Sequence, residues 1–357
     1  MPHTPSVRSP AEPSQEPVRI VHLPTGTGGN PLGLSRAERE LGFRSDVVDF
    51  APAYMGYRAD RVFDIADRSA PTRAAIRVRF IAEAVRRYDV FHFNAGAPGI
   101  ALRTRHGVFT ELPLLKRLGK TVVVTWQGCD VRPRAACPWC ERPECVRYDA
   151  WRAPDAKAML KHADRGVFLN PDLWRYLPGA TFLPYASVDV ASIEPQPLPD
   201  RETVVVAHAP TNPQVKGTPH VVAAVEQLRA EGLNIELDLI TGVTNQEAMR
   251  RIAQADVLVD QLHIGWYGGV AVEAMALGRP VLCFINETDN PYGVALPIVR
   301  ANPMTLREVL ADLVVDRGRR ASVAAAGRRF VLREHDPRAI ARRYYEGLVP
   351  FPEGRPD

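Results

Sequence analysis

The alternation of short apolar runs with longer amphipathic ones, broken off once and then restarted, leaves few folds open to this chain. Val18-Arg19-Ile20-Val21-His22-Leu23 reads as a buried strand, and a glycine-rich turn over 25–30 follows it. Helical spacing of apolar residues covers 34–41, a second strand runs over 45–50, and 72–87 is a helix with Ile76, Phe80, Ile81 and Ala84 near helical spacing. Further strands lie at 89–93 and 121–126. A proline-containing segment, 188–201, interrupts the pattern, which then begins again. Strands fall at 203–208, 235–240, 257–260 and 280–285, with helices at 220–231, 245–254 and 270–277. Such alternation predicts an α/β protein with parallel sheets and helices on both faces. Two of these units on one linker predict a cleft between the carboxyl ends of their strands, where open α/β sheets bind ligands.

Length agrees with two units, since 357 residues exceed one ordinary domain. Each half is long enough to bury a core without disulfide or metal staples. The net charge of +4, from 45 basic against 41 acidic residues, suits an anionic small ligand but is too small to argue for nucleic acid. No run of about 18 apolar residues occurs, so no membrane-spanning helix is expected. Residues 1–17 are rich in Pro and Ser and carry no apolar signal-peptide core. They read as a disordered tail on a cytoplasmic protein.

Chemistry concentrates in Gly265-Trp266-Tyr267-Gly268-Gly269-Val270-Ala271-Val272-Glu273-Ala274-Met275-Ala276-Leu277-Gly278-Arg279-Pro280-Val281. A short strand runs into glycines and a helix starts behind them. Glycines admit close approach of a ligand, and the N–H groups of the first helical turn have no helical partner. Such an end favours a diphosphate. Glu273 sits about one turn inside, where a carboxylate accepts hydrogen bonds from ribose hydroxyls. A plain helix-start turn with a solvated Glu is the alternative, and the run Glu-Ala-Met-Ala-x-Gly-x-Pro-Val argues against it.

That run resembles the donor-domain motif of the retaining glycosyltransferases of the GT-B fold, the group called glycosyltransferase family 4. The resemblance extends over 18–348 and is firmest across 255–285. It implies two facing Rossmann-like domains: an acceptor-binding domain over 18–190 and a nucleotide-sugar domain over 202–335. A last segment, 336–357, would carry a helix at 337–348 that packs back on the first domain. Glu273 takes the place of the family's ribose-binding Glu. Tyr267, Gly268, Gly269 and Val270 fall where the pyrophosphate and sugar are held. The family's first Glu falls at Gly265, a departure for which Asp260 or His263 are the nearby substitutes.

A second donor-side segment is Val206-Ala207-His208-Ala209-Pro210-Thr211-Asn212-Pro213-Gln214-Val215-Lys216-Gly217-Thr218. The family neutralises the leaving diphosphate with an Arg and a Lys; Lys216 matches the Lys, and Thr211 stands in the Arg position. A lysine at a helix start opposes the helix dipole, a local conflict that favours a functional reading. On the acceptor side, Thr25-Gly26-Thr27-Gly28-Gly29-Asn30 is not a true G-x-G-x-x-G. By resemblance Gly28 and Gly29 lie over the donor phosphates and Asn30 near the acceptor, while a tight turn explains the same residues. In Trp126-Gln127-Gly128-Cys129-Asp130-Val131-Arg132, Gln127 replaces the family's sugar-contacting His and keeps hydrogen bonding. Asp130 and Arg132 are expected to shape the acceptor pocket or to pair with each other. His92 is a further catalytic candidate, with a buried, satisfied histidine as its plain alternative.

Four of the five cysteines cluster: Cys129, Cys137, Cys140 and Cys145. The Cys-x-x-Cys spacing suits a structural zinc knuckle with Cys129 as fourth ligand. A disulfide and free buried thiols remain the other readings.

The combined expectation is a hexosyltransferase-type enzyme that retains anomeric configuration and needs no cofactor for catalysis. Its partners would be a nucleotide-diphosphate sugar and a small-molecule or glycan acceptor, with the chain a monomer or homodimer and no nucleic acid bound. A sugar-nucleotide epimerase of the same fold and a non-catalytic sugar-nucleotide-binding protein are the alternatives.

Overall fold

In a computed structural model the described residues are 16–26, 28–51, 57, 59–104, 107–141 and 143–352. The expected N-terminal tail lies outside them up to residue 15, as do Thr27 of the glycine-rich turn and 353–357 at the C-terminus.

The first domain contains β1 (Arg19–Leu23), α1 (Asn30–Glu40), β2 (Arg44–Asp49), β3 (Arg61–Val62), α2 (Ala70–Arg87) and β4 (Val90–Phe93). The hairpin β5 (Ala101–Thr104) and β6 (Gly107–Thr110) follows, then α3 (Leu112–Arg117), β7 (Thr121–Trp126), α4 (Pro143–Arg147), α5 (Asp149–Leu160), β8 (Arg165–Phe168) and β9 (Thr181–Phe182). Its sheet runs β3-β2-β1-β4-β7-β8-β9, parallel throughout. Continuous apolar runs such as Val122-Val123-Val124 suit this because both faces are covered, and all three are fully buried. Each such side chain contributes about 1.5–3 kcal/mol on burial.

The second domain contains β10 (Val204–His208), α6 (Pro213–Lys216), α7 (Thr218–Ala230), β11 (Ile235–Leu239), α8 (Asn245–Gln254), β12 (Val257–Val259), α9 (Gly269–Ala276), β13 (Val281–Cys283), β14 (Val299–Arg300), α10 (Leu306–Val315) and α11 (Arg317–Glu334). Its parallel sheet runs β11-β10-β12-β13-β14. The strand order reverses direction between β1 and β4 in one sheet and between β10 and β12 in the other. Crevices at these two switch points are where ligands enter doubly wound sheets. Among the described residues no helix is long and apolar enough to cross a membrane.

The chain then returns to its first domain through α12 (Pro337–Tyr345). Asp336 accepts from the amide of Arg338 at 2.9 Å and Pro337 occupies the first turn, a strong helix start. Ile340, Ala341, Tyr344 and Tyr345 are buried against Ile20, Leu34, Ala37 and Phe43. Beneath them lies a polar network. Tyr345 donates to Glu38 at 2.8 Å, and Ser45 donates to the same carboxylate at 2.5 Å. His22 Nε2 meets Glu38 at 2.9 Å. With its proton on Glu38, the Tyr345 hydroxyl accepts from His92 Nδ1 at 2.9 Å, and His92 Nε2 accepts from Thr125 at 2.7 Å.

The network corrects the expectation that His92 is catalytic. Its ring is fully buried under α12 and both nitrogens are engaged. Burial, with His22 beside it, drives its pKa well down and keeps it neutral. Replacement Tyr345→Phe keeps the ring and deletes the hydroxyl, leaving Glu38 and His92 short of a partner. Urea unfolding should show a loss of about 1–3 kcal/mol for this variant.

Candidate active site

Strand ends from both sheets line a cleft of about 240 Å³. From the first domain come Gln127, Gly128, Cys129 and Arg132 after β7, and Asn170 after β8. The second contributes Thr211, Asn212, Val215 and Lys216 after β10, with Gln261, Ile264 and Gly268 after β12. Tyr185, on the segment joining the two sheets, closes the floor.

Asp260, at the end of β12, organises the donor side. Its side chain is fully buried and takes the Lys216 Nζ at 2.6 Å on one oxygen. The other oxygen accepts from the amide of Gly268 at 2.6 Å. One carboxylate thereby joins the loop after β10 to the start of α9. Space above Gly268 is tight, because an added Cβ would stand 3.1 Å from Lys216 Nζ. Gly269 and Val270 follow in the first turn of α9, where amide hydrogens point out of the helix. The ammonium, the helix start and the half-buried cleft wall together suit a diphosphate.

Glu273 lies one turn inside α9. Its Oε1 accepts from Asn245 Nδ2, at the start of α8, at 2.8 Å. Enclosure pushes its carboxyl up to about 7, against the Asn245 hydrogen bond, with the Asp260 charge adding to the rise. Sequence reasoning missed Asn245, whose signal was its place just behind the helix cap Thr244.

The segment joining the domains ties the cleft floor to both sides. Asn30 accepts from the amide of Ala186 at 2.8 Å. A Cβ on Gly33 would sit 1.8 Å from the Ala186 carbonyl oxygen, so α1 needs glycine to rest on this segment. Tyr185 donates to Asn170 at 3.1 Å, and His335 Nδ1 meets the Tyr185 carbonyl at 2.9 Å. His335 Nε2 in turn meets the Tyr267 hydroxyl at 2.9 Å.

These contacts correct two expectations. Asn30 is buried and spends its carbonyl on the linker, not on an acceptor pocket. The Tyr267 side chain is fully buried in the second core, so its ring does not face a donor. Asp130 and Arg132 do not pair. Asp130 accepts from the amides of Gln127 at 2.7 Å and Gly128 at 2.6 Å, and so shapes its own loop. Arg132 lines the cleft but forms a fork with Asp172 at 2.7 and 2.8 Å. Gly28 brings the glycine-rich turn close to Gln127, since a Cβ there would meet Gln127 Oε1 at 3.0 Å. Gly29, with φ of 72°, is the left-handed residue that starts α1.

The place of Gly265 has a physical explanation. A Cβ there would stand 2.8 Å from the Asn286 Cβ, and the Asn286 amide donates to the Gly265 carbonyl at 2.9 Å. No side chain fits without moving Asn286. Neither suggested substitute takes over: Asp260 is committed to Lys216 and Gly268, and His263 stacks on Trp139 at 4.4 Å with Nδ1 on the Gln214 carbonyl at 3.0 Å. Across the cleft Arg175 reaches Asp289 at 2.7 Å, and Trp174 donates to the same residue at 3.1 Å. The Trp139–His263 stack and the Asp289 pair are therefore contacts between the domains.

No protein-family profile matches the chain, and no curated protein sequence does. Solved structures match over nearly its whole length. Sucrose-phosphate synthase from Thermosynechococcus elongatus superimposes with a TM-score of 0.64 at 16% identity, covering 91% of this chain and 97% of that one. Anabaena HepE, solved with UDP-glucose, gives a TM-score of 0.60 at 15% identity, with coverage of 92% and 99%. WaaG, a glycosyltransferase involved in lipopolysaccharide biosynthesis, gives 0.56 at 14% identity, with coverage of 92% and 100%. At these identities the likeness is one of fold. The fold is GT-B, two facing Rossmann-like domains with the cleft between them.

Proposed function

We propose that the protein transfers a sugar from a nucleotide-diphosphate donor to a hydroxyl or similar acceptor, with retention of configuration. The observation that carries this is Lys216, held by buried Asp260 at a switch point beside the glycine start of α9. In the proposed reaction the bond from the anomeric carbon to the diphosphate oxygen breaks. The anomeric carbon bonds to the acceptor oxygen on the same face, and the acceptor proton passes to the departing diphosphate. No protein base is required on this route. Negative charge grows on the leaving group, so Lys216 and the amides of Gly269 and Val270 stabilise the transition state more than the bound donor. Glu273 and Asn245 are the proposed ribose contacts. The acceptor would enter between the Gln127–Arg132 loop and the second domain.

A second reading is a sugar-nucleotide-binding protein without turnover. Two features favour it: Gly265 is closed off by Asn286, and Thr211 supplies no second cation. A thermal-shift screen of UDP-, GDP-, ADP- and TDP-sugars tests the shared claim, since a ligand bound by the native state raises Tm by mass action. Acceptor-dependent release of nucleoside diphosphate then separates the enzyme from the binder.

The Lys216→Ala variant should lower kcat by about 10²-fold, the loss from one electrostatic stabiliser, while donor affinity falls less. Removing the ammonium also leaves the Asp260 carboxylate unpaired, at a cost of about 3 kcal/mol. The double variant Lys216→Ala/Asp260→Asn should regain much of that stability and keep the low kcat. A wild-type kcat with a raised KM would reduce Lys216 to a binding group.

Glu273 gives a pH signature. With its folded-state pKa raised to about 7, the carboxylate that accepts ribose hydroxyls is mostly absent at pH 6 and mostly present at pH 8. Affinity for a nucleotide sugar, whose diphosphate does not ionise in this window, should therefore rise several-fold between these values. The same raised pKa means that the native state binds an extra proton between the ordinary value of 4.5 and about 7, so the Glu273 contribution to stability declines as pH rises through that window and is level above it. Isothermal titration of Glu273→Gln should show weaker binding without the pH slope.

A further inference from the structure

The cysteine cluster stands apart from the donor machinery yet borders it. Cys129, Cys137, Cys140 and Cys145 line a small, partly open pocket of about 10 Å³, with Cys129 at its exposed side. The Cys137-Pro138-Trp139-Cys140 turn is closed by the Cys140 amide on the Cys137 carbonyl at 3.1 Å. Cys140 and Cys145 bring their sulfurs to 3.1 Å, too long for a disulfide and close for two unrelated thiols. All five cysteines are unbridged. Arg152 reaches the Cys145 carbonyl at 3.2 Å and the Arg132 carbonyl at 3.0 Å, which binds the two arms of the cluster together. Four thiolates on one divalent ion carry a net charge of two minus, and the side chains of Arg132, Arg134 and Arg152 line the same cavity.

We propose that these four cysteines bind one zinc ion, and that the ion fixes the 137–147 loop as a wall of the cleft. Tetrahedral thiolate coordination is the preference of structural zinc, and the protons of the four thiols pass to solvent on binding. Among the described residues no three of these sulfurs lie within 4.8 Å of one another, so tetrahedral binding of one ion requires the sulfurs to shift. The loop has something to hold: Cys137, Cys140 and Cys145 pack on Ile264 and Val215 of the second domain, and Trp139 stacks on His263. Val215 is the neighbour of Lys216, and His263 holds the Gln214 carbonyl. The zinc therefore sets α6, and with it the approach to Lys216, without touching a ligand. Within 4.8 Å of one another His22, Glu38 and His92 also offer ligand atoms, but Glu38 is taken by His22 Nε2, Ser45 and Tyr345 and both His92 nitrogens are engaged, which leaves His22 Nδ1 alone without a hydrogen bond in that group.

The test uses the full chain, purified under reducing conditions without added metal. Elemental analysis should give about one zinc per chain. The Cys137→Ser/Cys140→Ser variant should hold none. Chelation of the wild-type protein should speed chymotryptic cleavage after Trp139 at least several-fold and expose the cluster thiols to a colorimetric reagent, and zinc alone should reverse both. This chelation arm decides the matter even if the double variant does not fold, and it requires no nucleotide, so it stands apart from the transferase reading. Two results overturn the proposal: a metal-free protein with Cys140 and Cys145 joined in peptide mass mapping, or a metal-free protein that takes up no zinc and whose loop resists chymotrypsin equally with and without chelator.

Discussion

One buried carboxylate at the end of β12 governs the geometry of the cleft. Asp260 is fully shielded, so its charge must be met within the protein, and it is met twice, by Lys216 and by the amide of Gly268. That necessity brings two loops from neighbouring strands of the second sheet to one point. A surface pair of the same kind would contribute little and orient nothing. Here the low-dielectric surroundings hold a flexible lysine in one place, which a role in charge stabilisation requires. Asp260 on this view is a positioning residue, acting through Lys216.

Connection of the domains depends on backbone contact as much as on side chains. Gly33 lets α1 lie on Ala186, Asn30 holds the amide of that residue, and His335 holds the Tyr185 carbonyl from the far end of α11. His335 is buried and its pKa is lowered to about 4 by that burial, so it links Tyr185 to Tyr267 as a neutral ring. From there the chain enters α12 and returns to the first domain. Tyr185 is thus gripped by residues from both halves, and it forms the floor of the cleft. Any rotation of one domain against the other must involve this segment and the return from α11 into α12.

Much of this was legible in the sequence, and the rest had specific reasons to be hidden. The strand Thr121–Trp126 and the helix Asn245–Gln254 were readable to the residue, because an apolar run or an amphipathic period with clear ends leaves no choice. The glycine start of α9 was equally plain. Strand β8, Arg-Gly-Val-Phe, was not, since a glycine and a leading arginine break its apolar run. Helix α5 carries Pro154 as its sixth residue, past the first turn, where proline gives up the helical bond to the Ala150 carbonyl and so argues against a helix in the sequence. His92 was open to two readings because a strand-end histidine looks the same in sequence whether it faces a cleft or lies under a returning helix; only α12 decides. Asp130 and Arg132 are close in sequence, but the loop turns Asp130 to its own amides and gives Arg132 to Asp172, forty residues on.

The closed position of Gly265 bears on which side of the cleft grips the sugar. In the proposed donor pose no acidic side chain can project from that position, because Asn286 fills the space and is itself held to Asp289 at 2.8 Å. Asp289 in turn is the residue that Arg175 and Trp174 reach from the first domain. The space that an acid would occupy is therefore given to a contact that brings the domains together. Recognition of the sugar would then fall to polar groups already lining the cleft, Gln127 and Asn170 from one side and Gln261 from the other. These are neutral amides, part of whose hydrogen bonding is already spent on the Gln127 and Trp266 carbonyls and the Tyr185 hydroxyl, and they impose less charge discrimination than a carboxylate. Discrimination between donors would accordingly depend on the shape of the closed cleft, and so on the domain contacts that replace the acid.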